Sequence, residues 1–258
     1  MSQNDMSIYD HIGELRKRVI MIVVLLLVAM IGGFVLAPVL IGYLQSTPQA
    51  QDFPMNAFKL TDPIMVYVNF AFLTGLILIF PFLLYQLWAF VSPGLLEKER
   101  KATLSYIPIS TLLFFGGLAF AYFILFPFVI DFVSRLATTL NITEQYGINE
   151  YFTFLFKLTI PFGFLFQLPV VVMFLTRLGI VTPAYLRKIR KIAYFVLLVI
   201  AGFITPPELL SHVMVTLPLF LLYEISIIIS RISYKKVLKA EQEKMEQWAK
   251  EDEERQAK

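Results

Sequence analysis

Glu14 precedes Arg18 by four residues in the segment Ser7-Ile8-Tyr9-Asp10-His11-Ile12-Gly13-Glu14-Leu15-Arg16-Lys17-Arg18. On a helix that spacing brings carboxylate and guanidinium onto one face, and by itself it describes an ion pair of about 0.3–0.5 kcal/mol. Glu97 and Glu99 alternate with Lys98, Arg100 and Lys101 just after Ser92-Pro93-Gly94. Acidic groups at a helix start interact favourably with its dipole, which alone would account for them. Gln167 lies deep in an apolar run, two residues before Pro169. A buried amide there needs a partner, commonly on another helix or another chain. Glu224 and Lys157 fall toward the ends of apolar runs, while Asp131 and Arg135 lie beside a connector. Ionisable groups in such runs are functional candidates, although a lysine can also extend its head to the nearest water.

Other chemistries have no residues to carry them. His11 and His212 are the two histidines and stand far apart, which makes no metal site. Cysteine is absent, which excludes disulfides and zinc–thiolate centres. There is no G-x-x-x-x-G-K-[ST] phosphate cradle, no H-E-x-x-H and no G-x-S-x-G. No enzyme activity, cofactor, metal or nucleic-acid partner is expected.

The elements that must position these residues are apolar. Hydrophobic residues make up 58% of the chain and charged residues 16%, with a mean hydropathy of +0.72; a soluble domain carries roughly 25% charged residues. Lipid must therefore be the solvent for most of this surface. The net charge of +3 matters less than its distribution. Arg16–Arg18, Lys98–Lys101, Arg187–Lys191 and Arg231–Lys239 are basic clusters, whereas the intervening connectors hold only Lys59 or Arg135. Bases retained on one side of a bilayer are the positive-inside signal, so both termini and two basic loops are expected to be cytoplasmic.

A helix needs about 20 residues to cross roughly 30 Å of hydrocarbon. Val19–Ala37, Ile64–Val91, Tyr106–Val129 and Phe152–Leu175 meet that length. The first run is too long for a signal-peptide core and lacks a convincing cleavage site, so it is expected to be a permanent span. Ile192–Ser230 holds no base and carries Thr205-Pro206-Pro207-Glu208 near its middle. A hairpin of two spans, Ile192–Ile204 and Leu209–Ser230, keeps the flanking basic clusters on one side. The fifth span then reaches only about 20 Å and calls for bilayer thinning or oligomerisation. The expected fold is an all-α, polytopic membrane protein of six transmembrane helices. Pro81, Pro108, Pro127, Pro161, Pro169 and Pro218 are expected to kink them into a cupped arrangement. Residues 1–232 would form this domain and 233–258 a charged cytoplasmic tail, a frayed helix or disorder. Ser7 to Arg18 reads as a separate short amphipathic helix on the cytoplasmic interface, with Ser7 and Asp10 as a capping box.

Several strings occur together and in order. His11-Ile12-Gly13-Glu14-Leu15-Arg16-Lys17-Arg18 resembles the N-terminal signature of the TatC family, as does Tyr85-Gln86-Leu87-Trp88-Ala89-Phe90-Val91-Ser92-Pro93-Gly94-Leu95 with Glu97–Lys101. Ala119–Phe123 with Phe126-Pro127, Phe166-Gln167-Leu168-Pro169 and Thr205–Glu208 extend the likeness over residues 7–232. The variant resembles those of Gram-positive bacilli. The resemblance implies the receptor of the twin-arginine translocase in the bacterial cytoplasmic membrane, with six spans and both ends inside. It implies binding of signal peptides that carry paired arginines. It also implies transport of folded proteins with TatA-type single-span partners, driven by the proton-motive force, and self-association in a larger translocase.

Carried onto this chain, Glu14 and Glu99 hold the two arginines, with Arg16, Phe90, Pro93 and Arg100 around them. Guanidinium presents a planar fork that suits a carboxylate better than lysine does. Successive residues of an extended peptide point in opposite directions, which suits carboxylates on separate segments. Gln167 and Pro169 are the expected partner-helix contact. Gln167 stands where many members carry glutamate, and Glu208 where others carry aspartate. The residues taken without the resemblance also leave open an ion-coupled secondary transporter of a small solute and, more distantly, an intramembrane enzyme.

Overall fold

The computed structural model describes residues 8–47, 50, 55–92, 100, 103–205 and 209–256. In chain order the elements are α1 (Ile8–Gln45), β1 (Met55–Asn56), α2 (Asp62–Val91), α3 (Tyr106–Phe120), a π-helical turn (Ala121–Leu125) and α4 (Phe126–Thr139). They continue with β2 (Tyr146–Gly147), α5 (Ile148–Leu165), α6 (Leu168–Arg177), α7 (Pro183–Lys188), α8 (Arg190–Ile204) and α9 (Leu209–Gln256). They fall into two compact units, Met1–Phe164 and Leu165–Lys258.

Among the described residues five stretches are long and apolar enough to cross a membrane: Ile12–Gln45, Asp62–Val91, Tyr106–Thr139, Ile148–Arg177 and His212–Lys239. The segment expected as the fifth span forms α8, which is not among these five. Its 15 residues extend about 22 Å, short of ordinary hydrocarbon thickness.

Three elements differ from expectation. No separate interfacial helix forms at the N-terminus: Ile8–Gln45 is one helix of 38 residues. Nothing from Gly13 to Arg18 breaks it, because a lone glycine is tolerated and arginine and lysine are good helix formers. Ser7, the proposed cap, lies outside the described residues. The third span runs on to Thr139 and carries a π turn directly before Pro127. Proline has no N–H for the Phe123 carbonyl, and the widened turn absorbs that missing bond. The fourth span is interrupted at Phe166-Gln167, where α6 restarts with Pro169 in its first turn. Pro81, Pro161 and Pro218, by contrast, lie inside helices that continue past them. The last helix continues without a break through the charged segment to Gln256.

In the first unit α1 and α2 pack closely through small residues. A Cβ on Gly33 would lie 2.6 Å from the Ala71 carbonyl oxygen, and one on Gly75 3.0 Å from the Met30 nitrogen. Such contacts let two backbones approach where lipid supplies no hydrophobic drive between helices. Aromatic rings join α2 to α3 and α5. Phe80 stacks on Phe114 at 3.6 Å between centroids, and Phe70 meets Phe152 and Phe156 edge-on at 4.9 Å. Gly163 makes room for Phe114, whose ring would lie 2.7 Å from an added Cβ. The connectors after α1 and after α4 meet as a short parallel ladder, Met55 opposite Tyr146 and Asn56 opposite Gly147. Asp62, 1% exposed, accepts from the backbone N–H groups of Phe58 and Lys59 at 2.9 and 2.8 Å and so fixes the entry to α2. Ser134 donates to Glu144 across the same connector at 3.0 Å. Burial, and then the Glu144 carboxylate, raise the Tyr146 phenol above its ordinary pKa.

In the second unit α6 ends in a Schellman turn. Gly179 adopts φ +72°, Ile180 N–H donates to the Leu175 carbonyl and Gly179 N–H to that of Thr176, each at 3.1 Å. Thr182 caps α7 by accepting from Tyr185 N–H at 3.2 Å. The α6 and α9 helices are joined by a hydroxyl pair, Thr176 with Ser230 at 2.7 Å, both fully buried. Tyr223 donates to the Leu186 carbonyl at 2.9 Å, tying α9 to α7.

Candidate functional site

Glu14 lies on the first turns of α1, and the helix carries it alongside the last turns of α2. Arg18, one turn on, joins the two. Its Nε donates to Glu14 Oε1 at 3.0 Å and its Nη2 donates to the same oxygen. Its Nη1 donates to Gln86 Oε1 at 2.9 Å, and its Nη2 also reaches the Ala89 carbonyl at 3.2 Å. The Glu14 and Arg18 side chains are 23% and 22% exposed. The i,i+4 pairing read from spacing is thus present, but as part of a helix-to-helix junction. Glu14 Oε2 is buried and has no hydrogen-bond partner among the described residues. A carboxylate oxygen left so is an acceptor waiting for a donor.

The other expected residues divide. Phe90 follows Ala89 directly and is half-buried beside this junction. Arg100 is exposed, and its guanidinium carbon lies 5.8 Å from the centre of the Trp88 ring, within cation–π reach. Trp88 in turn donates its indole N–H to Thr103 at 3.0 Å. Arg16 is exposed and, two residues from both Glu14 and Arg18, occupies the opposite face of the helix. Pro93 and Glu99 lie outside the described residues. Gln167 and Pro169 fall at the break that begins α6. The Gln167 backbone carbonyl accepts from Val170 and Val171 N–H at 3.0 and 2.9 Å.

Two features were not singled out from the sequence. Gln86, 5% exposed, is the second anchor of Arg18. The rule applied to Gln167, that a buried amide must have a partner, would have found it. The other is a junction on α8 and α9. Arg190 pairs with Glu224 at 2.9 Å, and Tyr194 donates its hydroxyl to the same carboxylate at 2.5 Å. Here both Glu224 oxygens are engaged, whereas Glu14 Oε2 has no donor among the described residues. Asp131 and Arg135 pair with each other at 2.8 Å and stay largely exposed. Among the described residues no group of three His, Asp or Glu side chains could hold a metal ion.

The fold defines a polytopic helical membrane protein, and the α1–α2 junction leaves one buried Glu14 oxygen without a donor among the described residues. The family model described as Sec-independent protein translocase protein (TatC) matches residues 10–218. A Sec-independent protein translocase protein TatC from Halalkalibacterium halodurans is 65% identical over 98% of this chain and all of its own length. The TatCy protein of Bacillus subtilis is 61% identical over 93% of this chain and 94% of its own. A crystal structure of the twin-arginine translocase receptor TatC superposes with a TM-score of 0.78 at 31% identity, covering 86% of this chain and 99% of that one. This chain belongs to the TatC family of Sec-independent protein translocase proteins.

Proposed function

We propose that this protein is the receptor subunit of a twin-arginine translocase and that Glu14 and Glu99 hold the paired arginines of cargo signal peptides. The observation that carries the reading is the Glu14 carboxylate. It is three-quarters buried, oriented by Arg18, and retains an acceptor oxygen without a partner among the described residues. A signal-peptide guanidinium supplies the donor that this oxygen lacks, in the charge-assisted geometry that arginine makes better than lysine. Phe90, Pro93 and Arg100 line the bound segment, whereas Arg16, on the opposite face of α1 from Glu14, does not fit that wall. Arg100 stands over Trp88 near the same end of α2.

The translocase places the chain in the bacterial cytoplasmic membrane with six spans, α8 being the short fifth, and both termini inside. Two contacts support that orientation. The connectors after α1 and α4 pair as strands and so share a side, while the start of α1 meets the far end of α2. The basic clusters assign that second side to the cytoplasm. Gln167 and Pro169 contact a TatA-type single-span partner at the break before α6, and copies of the chain assemble in the working translocase, which moves folded cargo on the proton-motive force. An ion-coupled solute transporter is not favoured, because relatives matched along nearly their whole length are protein-translocase subunits.

The test is binding of a synthetic twin-arginine signal peptide to the purified chain in nanodiscs. A hydrogen bond to a charged group contributes about 1.5–3 kcal/mol, so Glu14→Gln and Glu99→Gln should each weaken binding by roughly ten- to a hundredfold. Replacing both signal arginines by lysine should cost the wild type most of this affinity and cost the variants little more. Full additivity of peptide and receptor changes would remove these carboxylates from the site.

A further inference from the structure

One guanidinium at the α1–α2 junction is shared among three acceptors. Arginine ordinarily grips a carboxylate as a fork, one N–H to each oxygen. Arg18 does not. Both its Nε and Nη2 donate to Glu14 Oε1, while Nη1 is drawn to Gln86 and Nη2 also to the Ala89 carbonyl. These two anchors on α2 turn the guanidinium side-on to Glu14, which leaves Oε2 buried without a partner among the described residues. Gln86 is itself fixed: it is 5% exposed, and its amide nitrogen contacts Met21 Sδ at 3.2 Å.

We infer that Arg18 and Gln86 are positioning residues for arginine recognition, holding Glu14 so that one oxygen is occupied and the other is presented in a fixed direction. The inference rests on the reading that Glu14 receives a signal-peptide arginine. A carboxylate free to rotate would attract lysine and arginine by charge alike. One locked rotamer with a single directed acceptor instead rewards a donor of fixed planar geometry. Preorganisation also spares the incoming peptide the cost of ordering the side chain. Arg18 could instead be an internal occupant that the signal must displace. Its three acceptors argue against that role, since leaving would unmake bonds to Glu14, Gln86 and Ala89 together. The incoming arginine therefore adds to the junction and does not replace Arg18.

The experiment uses the full chain in nanodiscs with a twin-arginine peptide and its twin-lysine counterpart. Gln86→Met preserves shape but removes the acceptor, and Arg18→Lys preserves charge but removes the fork. Each should lower affinity for the arginine peptide about tenfold and leave the lysine peptide within about twofold, so that the preference collapses. Gln86→Leu serves where the methionine variant does not fold. Tighter arginine-peptide binding by Arg18→Lys would identify Arg18 as a competitor and overturn the inference. An unchanged arginine-to-lysine ratio in both variants would overturn it as well. Glu14→Gln separates the two levels. If it binds both peptides as the wild type does, the assignment of Glu14 fails and the inference with it. If it loses the arginine preference while Gln86→Met and Arg18→Lys keep theirs, only the positioning role is refuted.

Discussion

Gly32 and Gly33 are neighbours in α1 with opposite surroundings, and exchanging each for alanine tests the α1–α2 seam. A Cβ on Gly32 would have nothing within 4 Å. Alanine is the better helix former by roughly 0.5–1 kcal/mol, so Gly32→Ala should be neutral or stabilising by that amount. A Cβ on Gly33 would lie 2.6 Å from the Ala71 carbonyl oxygen, 3.0 Å from its Cα and 3.1 Å from Thr74 Cβ. Two of those atoms are backbone and cannot turn aside, so the helices must part. Opening a packed seam by about 0.5–1 Å forfeits a quarter to a half of its dispersion energy, and overpacking of this kind costs about 1–3 kcal/mol. Alanine's propensity gain is common to both sites, so the two substitutions should differ by the overpacking cost, roughly 1–3 kcal/mol in unfolding free energy. Reversible unfolding in mixed micelles, followed by the fluorescence of Trp88 on α2, reads that difference. Because the same pair of helices carries Arg18 to Gln86, Gly33→Ala should also weaken signal-peptide binding, and Gly32→Ala should not. Equal stability of the two variants would refute the close approach of α1 and α2 on which the Glu14 junction depends.

Further outcomes can be checked independently. In this cysteine-free chain, single cysteines at Leu60, Leu140 and Pro207 should react with an impermeant reagent from outside, and those at Lys98, Lys188 and Lys239 should not; outside labelling at 239 would leave five spans. Gln167→Leu should lower recovery of the TatA-type partner and transport while sparing signal-peptide binding, since interhelical amide bonds are worth only about 0.6–2 kcal/mol; wild-type recovery and transport would move the partner contact elsewhere. Thr176→Val and Ser230→Ala should each destabilise the chain, and the double variant should lose less than the sum by about 0.6 kcal/mol or more; strict additivity would mean the two hydroxyls do not bond.

Length and polarity made the helices legible before the structure, because about 30 Å of hydrocarbon imposes a minimum run that few soluble helices reach. Boundaries were less legible. The apolar pattern stops at Val129, but the helix continues through Asp131 and Arg135, whose i,i+4 pair lets a charged segment remain helical outside the lipid. Proline marked places of strain without giving the outcome. Pro127 and Pro169 coincide with a π turn and a helix break, yet Pro81 and Pro218 are carried within continuous helices. Neighbouring helices and local adjustment decide which occurs.

The candidate site shows why tertiary pairing was the hardest part to read. Glu14 and Arg18 are four residues apart and announce each other by helical spacing, but Arg18 and Gln86 are separated by 68 positions and no periodicity connects them. In a soluble chain the apolar face of each helix points to the core. In lipid that signal is lost: Leu27, Ile31 and Val35 of α1 are apolar and exposed, because the solvent is as apolar as they are. What must still be satisfied in lipid is polarity. Gln86 finds Arg18, Thr176 finds Ser230 and Glu224 finds Arg190, each across two helices of one unit. The few polar side chains inside the apolar runs are therefore the better guide to which helices meet. Glu14 departs from this rule, as do Tyr122, Glu144 and Asn149: one of its oxygens is buried and the described residues offer it no donor.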